Sequence, residues 1–150
     1  MCKRQRGGTQ AAYGPRFGAI GYVETLEAAK AHPHYKAPLG PNQGRGIASG
    51  FWFNGAGQSS AAVNINEDGT AIVVSGSPDI GGSRASMAMM AAEVLGIDVE
   101  KVRPIVGDTD AIGFTNPTGG SRVTFATGMA VVDAATDVVG QLRERAARAL

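Results

Sequence analysis

The sequence predicts an α/β (α+β) fold: a mixed β-sheet containing a β-hairpin and a β-α-β unit, with helices mainly on one face. Three observations support this. Glu67-Asp68-Gly69 separates two strand patterns, Ala61 to Asn66 and Thr70 to Ser75, which is a hairpin signal. A helical repeat between the strand patterns 70–75 and 102–106 makes the parallel crossover. A long pattern without proline runs from Ser121 to Leu150.

The elements follow in order. Residues 1–20 are glycine-rich without periodicity and read as a linker or strap, leaving 21–150 as the domain. Tyr22 to His32 predicts a short helix with Val23, Leu26 and Ala29 on one side, ended by Pro33. His32 and His34 lack further Cys or His partners and read as a helix end and turn, not a metal site. After the turn cluster 39–46, Ile47 to Asn54 predicts a strand in which Phe51, Trp52 and Phe53 are buried. Met87, Met90, Ala91, Val94 and Leu95 recur at helical spacing, and Gly96 closes that helix. Pro104 places the strand Val102 to Val106 at an edge or bulge. In the last helix, Phe125, Met129, Val132, Thr136 and Val139 are expected along one face. Gly128 and Gly140 within it each cost about 1 kcal/mol relative to alanine, to be offset by close packing.

Composition narrows the classes. With 14 basic and 13 acidic residues among 150, the chain is not a general nucleic-acid binder, and Lys3-Arg4-Gln5-Arg6 reads as a solvated end. A single cysteine, Cys2, points to a reducing, cytoplasmic setting. No consecutive apolar run approaches the ~20 residues of a membrane span, and the start has no signal-peptide pattern. The helical pattern reaches Leu150 without a capping glycine, as in a segment of something longer.

The most specific local feature is a repeat. Gly81-Gly82-Ser83-Arg84 and Gly119-Gly120-Ser121-Arg122 each precede a predicted helix. Glycine amides at a helix start, with the positive end of its dipole, offer an anion site. An arginine beside that end is unfavourable unless an anion lies between. The serines have a second reading as N-caps, worth on the order of 1 kcal/mol. Asp79, Asp108 and Asp110 fall in loops at one sheet edge and read mainly as turn or cap residues. Other signatures fail. Residues 76–83 approach the P-loop pattern, but Gly82 stands where its lysine belongs. No dinucleotide fingerprint, nucleophile elbow or zinc-protease motif is present. Catalytic and metal-ligating residues are therefore assigned to none of these side chains.

Gly44-Arg45-Gly46-Ile47-Ala48, Ser75-Gly76-Ser77-Pro78-Asp79-Ile80-Gly81 and Ala91-Ala92-Glu93-Val94-Leu95-Gly96-Ile97 come in that order. They are followed by Val106-Gly107-Asp108-Thr109-Asp110 and Thr118-Gly119-Gly120-Ser121-Arg122. In this order and spacing the chain resembles, from about Gly14 to Leu150, the molybdenum-cofactor subunit of the xanthine dehydrogenase and aldehyde oxidase family. The resemblance implies a piece of the second cofactor-binding region of a large subunit, holding molybdopterin or molybdopterin cytosine dinucleotide. It implies cofactor contacts at Gly81, Gly82 and Ser83, and at Thr118, Gly120, Ser121, Arg122 and Val123, to which the anion-site reading of the repeat adds Arg84 and Gly119. It also implies hydroxylation of an aldehyde or heterocycle with oxygen from water. Electrons would leave through iron–sulfur clusters and often FAD on partner subunits or domains. Two departures stand out. Gly82 replaces the family's glutamine, and the family's glutamate base has no counterpart here, so the segment alone is expected to be inactive. A non-catalytic assembly module and a free-standing binder of phosphorylated metabolites are the competing readings.

Overall fold

The computed structural model describes Gln10, Gly14, residues 16–50, Trp52 and residues 55–150. Cys2, the basic run, Phe51, Phe53 and Asn54 lie outside the described residues. The chain divides into two compact units, 1–50 and 51–150, so the first unit runs further than the 1–20 strap marked out by composition.

In the first unit, α1 (Tyr22–Ala31) is a ten-residue helix and α2 (Pro33–Lys36) a single turn. Pro33 occupies the first helical position of α2, where its missing N–H costs nothing, and His32 Nδ1 accepts the His34 N–H at 3.2 Å. Both histidines thus serve the helix junction. Arg45 lies over the Tyr35 ring, 5.9 Å from its centroid, and donates to the carbonyls of Tyr35 and Ala37.

The second unit contains the sheet. The hairpin forms as expected, with β1 (Ala61–Ile65) antiparallel to β2 (Ala71–Ser75). At the turn, Asp68 Oδ1 accepts from the Thr70 hydroxyl and N–H, holding its carboxyl below the ordinary aspartate value. From β2 the chain crosses through α3 (Ser83–Leu95) and a 3₁₀ turn (Val99–Lys101) to β3 (Val102–Val106), parallel to β2. The strand order is β1-β2-β3, so β3 is an edge strand, as its proline demands. Gly107 N–H donates to Ser75 O, and the two-residue period therefore turns the Pro104 nitrogen to the open side. Gly96 ends α3 in the left-handed region, and Ile97 beyond it packs on the core.

After β3 a loop leads to a π-helical turn, Val123–Thr127, and then α4 (Gly128–Ala149). α3 packs against α4, β2 and β3, and α4 against β1, so both helices cover one face of the sheet. The core joins Ala71, Val73 and Val102 to Met87, Ala91 and Val131. Val73 and Val131 are fully buried, each worth about 1.5–3 kcal/mol relative to exposure.

Three sequence expectations are corrected. Residues 47–50 and Trp52 form no strand, and Trp52 is 71% exposed instead of buried. The inner face of the last helix is Thr127, Val131 and Ala135, whereas Phe125 and Met129 face outward. The π turn winds more residues per turn than an α-helix, which shifts the phase. The small Gly128 lies against Met90, so α3 and α4 meet over small residues and not over Phe125. The last correction concerns hydropathy: Val123–Ala149 is long and apolar enough, by length and composition alone, to cross a membrane. Counting consecutive apolar residues overlooked it because Asp133 and Asp137 interrupt the run. Here its inner face is part of the core.

Candidate functional site

Ala61 pairs with Ser75, and Ser75 with Val106, so the start of β1 and the ends of β2 and β3 share one sheet edge. Three loops converge there: 55–60, 76–82 and 107–122. The carboxyl ends of parallel strands are where open α/β sheets bind ligands. A cavity of about 450 Å³ lies at this edge, lined by Gly76, Gly107, Asp108, Ile112, Phe114 and Thr115. Gly76 must be glycine, since a Cβ there would sit 2.8 Å from Thr115 Oγ1.

The first Gly-Gly-Ser-Arg turn contains its own anion. Asp79 Oδ1 accepts the Arg84 N–H at 3.0 Å, and Oδ2 pairs with Arg84 Nε at 2.8 Å. The Arg84 backbone bond first, and its guanidinium second, hold the Asp79 carboxyl below the ordinary aspartate value. Ser83 is buried, and its hydroxyl accepts the Ile80 N–H at 3.2 Å. It stands inside the first turn of α3, and the capping position belongs to Gly82. Gly81 and Gly82 have φ of 63° and 82°, and a Cβ on either would meet no atom within 4 Å.

The second turn repeats neither the backbone nor the pairing. Gly120 and Ser121 have φ of 60° and 55°, both left-handed. Ser121 precedes the π turn by two residues, and its Oγ accepts the Trp52 Nε1–H at 3.0 Å, so it is not an N-cap. Arg122 is buried. It donates to the carbonyls of Ala56, Asn116 and Gln58 at 2.7–2.9 Å and to Ser59 Oγ at 2.6 Å. The loop 55–58 is also held by Gly55 N–H to Gly120 O and by Gln58 N–H to Asn116 Oδ1. Thr118 and Gly119 are exposed, and Val123 is buried.

Neither arginine therefore extends toward a ligand. The reason is electrostatic in both cases: one guanidinium has a carboxylate within reach, and the other lies among convergent carbonyls that need donors. The backbone is what remains. Among the described residues, the N–H groups of Gly81, Gly82, Gly119, Gly120 and Ser121 donate to no protein acceptor. These exposed donors, with bare Cα atoms at Gly81, Gly82 and Gly119, fit a phosphate or a polar ring edge. Among the described residues, no three His, Cys, Asp or Glu side chains gather as metal ligands. Asp108 behaves as a turn residue, its Oδ1 accepting the N–H groups of Asp110 and Ala111.

Sequence reasoning missed the hydroxyls linking the loops. Thr127 Oγ1 lies 2.7 Å from Ser77 Oγ and 3.0 Å from Ser59 Oγ. No local motif announces a contact between residues 50 and 68 positions apart.

The chain is a member of the molybdopterin cofactor-binding domain family, whose model matches residues 21–150. Among particular proteins, it is 40% identical over 67 residues to the aldehyde oxidoreductase molybdenum-binding subunit PaoC of Escherichia coli (strain K12). That match takes in 44% of this chain and 9% of PaoC. It is 36% identical over 90 residues to the xanthine dehydrogenase of Drosophila pseudoobscura pseudoobscura, covering 59% of this chain and 7% of the relative. Its structure is similar to reconstituted CO dehydrogenase from Oligotropha carboxidovorans, with a TM-score of 0.57 and 29% identity. This covers 61% of this chain and 11% of that one. The chain thus spans less than a tenth of the length of these curated relatives.

Proposed function

We propose that this chain forms part of the cofactor cradle in the large subunit of a molybdenum hydroxylase. In this reading the amides of Gly81 and Gly82 and those of Gly119, Gly120 and Ser121 take the phosphate and pterin edges of molybdopterin or its cytosine dinucleotide. Asp79 and Arg84 neutralise each other and hold the start of α3. Arg122 shapes the second loop, with Thr118 and Val123 flanking it. When bound, the cofactor would supply the redox chemistry, which in the intact enzyme is hydroxylation of an aldehyde or heterocycle with oxygen from water. Iron–sulfur and flavin groups on other domains or subunits would accept the electrons, and a cytoplasmic setting accords with the sequence. The observation carrying this reading is the set of amides, unpartnered among the described residues, on two turns with left-handed residues at one sheet edge.

Purification of the subunit containing this chain, followed by molybdenum and pterin analysis, tests it. Comparable molar amounts of both are expected, retained in Arg84→Ala within about twofold, as for an exposed pair. Gly82→Asp, which places a carboxylate among the amides, should empty the site. Absence of pterin from the unmodified subunit would discard the proposal in favour of an assembly module. Loss of pterin in Arg84→Ala would restore the arginine as a direct contact.

A further inference from the structure

Three linked hydroxyls, Thr127 and Ser77 buried and Ser59 half-buried, join the two turns. Arg122 donates from Nη2 to Ser59 Oγ, which also lies 3.0 Å from Thr127 Oγ1. Thr127 Oγ1 is in turn 2.7 Å from Ser77 Oγ, and because a hydroxyl both donates and accepts, the three form one continuous chain. Thr127 is 0% exposed and Ser77 4%, so water does not substitute for these bonds. The relay runs from the arginine of the second turn to a residue four positions before Gly81 in the first.

Its middle member sits in an unusual place. Thr127 closes the π-helical turn Val123–Thr127. Such turns are uncommon and cluster at functional sites, because the extra residue re-aims a side chain that a regular helix would carry elsewhere. Here the turn brings the Thr127 hydroxyl between Ser59 and Ser77, while Gly128 next to it lies against Met90 of α3.

We propose that Thr127 is a positioning residue coupling the two amide-bearing turns, so that cofactor meets both in one fixed geometry. The inference rests on the reading of these turns as the molybdopterin cradle. Hydrogen exchange in the cofactor-free subunit containing this chain, together with molybdopterin dissociation from the loaded one, tests it. Thr127→Val removes the hydroxyl at nearly constant volume, and Thr127→Ser retains it. In Thr127→Val, exchange should rise together at the hydrogen-bonded amides of Ile80 and Arg84 in the first turn and of Gly55, Gln58 and Asn116 around the second, and molybdopterin should dissociate roughly fivefold more readily, as for loss of one buried hydrogen bond. Thr127→Ser should restore both. Faster exchange at only one turn, or no change in molybdopterin retention, would overturn the coupling. If Thr127→Val fails to fold, Ser77→Ala opens the relay at its far end and should loosen the same two segments. Failure of the unmodified subunit to retain molybdopterin would instead remove the cradle reading, while exchange would still decide whether Thr127 ties the turns.

Discussion

Residues 81–84 and 119–122 have the same four letters, yet the left-handed pair is Gly81-Gly82 in one and Gly120-Ser121 in the other, and their arginines have opposite fates. Arg84 stays at the surface, paired with Asp79 five residues earlier. Arg122 is buried and holds together a loop more than sixty residues earlier in the chain. A short motif does not by itself fix even the local geometry, since the left-handed pair shifts by one residue between the two copies. What its side chains do depends on the nearest unsatisfied group, and that is a tertiary matter.

The largest test of this contrast is to remove each arginine. Arg122→Ala should cost about 3 kcal/mol or more in urea unfolding, since several buried carbonyls lose their donor. Arg122→Lys should not rescue it, because one ammonium cannot span that fork of acceptors. Arg84→Ala should be far milder. Equal losses from the two would erase the distinction.

The glycines come next. Gly82→Ala should destabilise by about 1–2 kcal/mol through its left-handed φ alone, because the site has room for a methyl group. Along α4, Gly140→Ala should stabilise by about 1 kcal/mol, as no atom lies within 4 Å. Gly128→Ala should lose that gain, because its Cβ would lie 2.6 Å from Met90 Sδ. A thermal-melting comparison of the two alanine variants reads the difference directly.

The smallest effect is on pH. The Asp79 carboxyl is held below its ordinary value, so its contribution is present above the normal aspartate range near pH ~4. That contribution is lost as pH falls through the folded-state value. Asp79→Asn should therefore flatten part of the acid limb of stability, leaving the part due to Asp68. An unchanged acid limb would show that the Asp79–Arg84 pair contributes nothing in solution.

Much of the fold was legible because local signals and tertiary demand agreed. Asp68-Gly69 marked the hairpin, the spacing from Met87 to Leu95 marked α3, and Pro104 marked an edge. Misreadings arose where large apolar side chains were assumed to face inward. Phe125 and Met129 are exposed because Thr127 and Gly128 allow close approach to α3, and no hydropathy pattern favours a threonine and a glycine over a phenylalanine. At the candidate site the glycine turns were visible as turns. The partners of Arg84 and Arg122 were not, although Asp79 stood close enough to be noticed as a capping residue.

The proline in β3 bears on how the sheet meets its surroundings. Of the three outward positions on that strand, Val102 gives its N–H to Val99 O and residue 104 has none, leaving Val106 alone to donate. A neighbouring chain sliding alongside would find a ladder with two rungs missing, which guards against runaway strand-to-strand association.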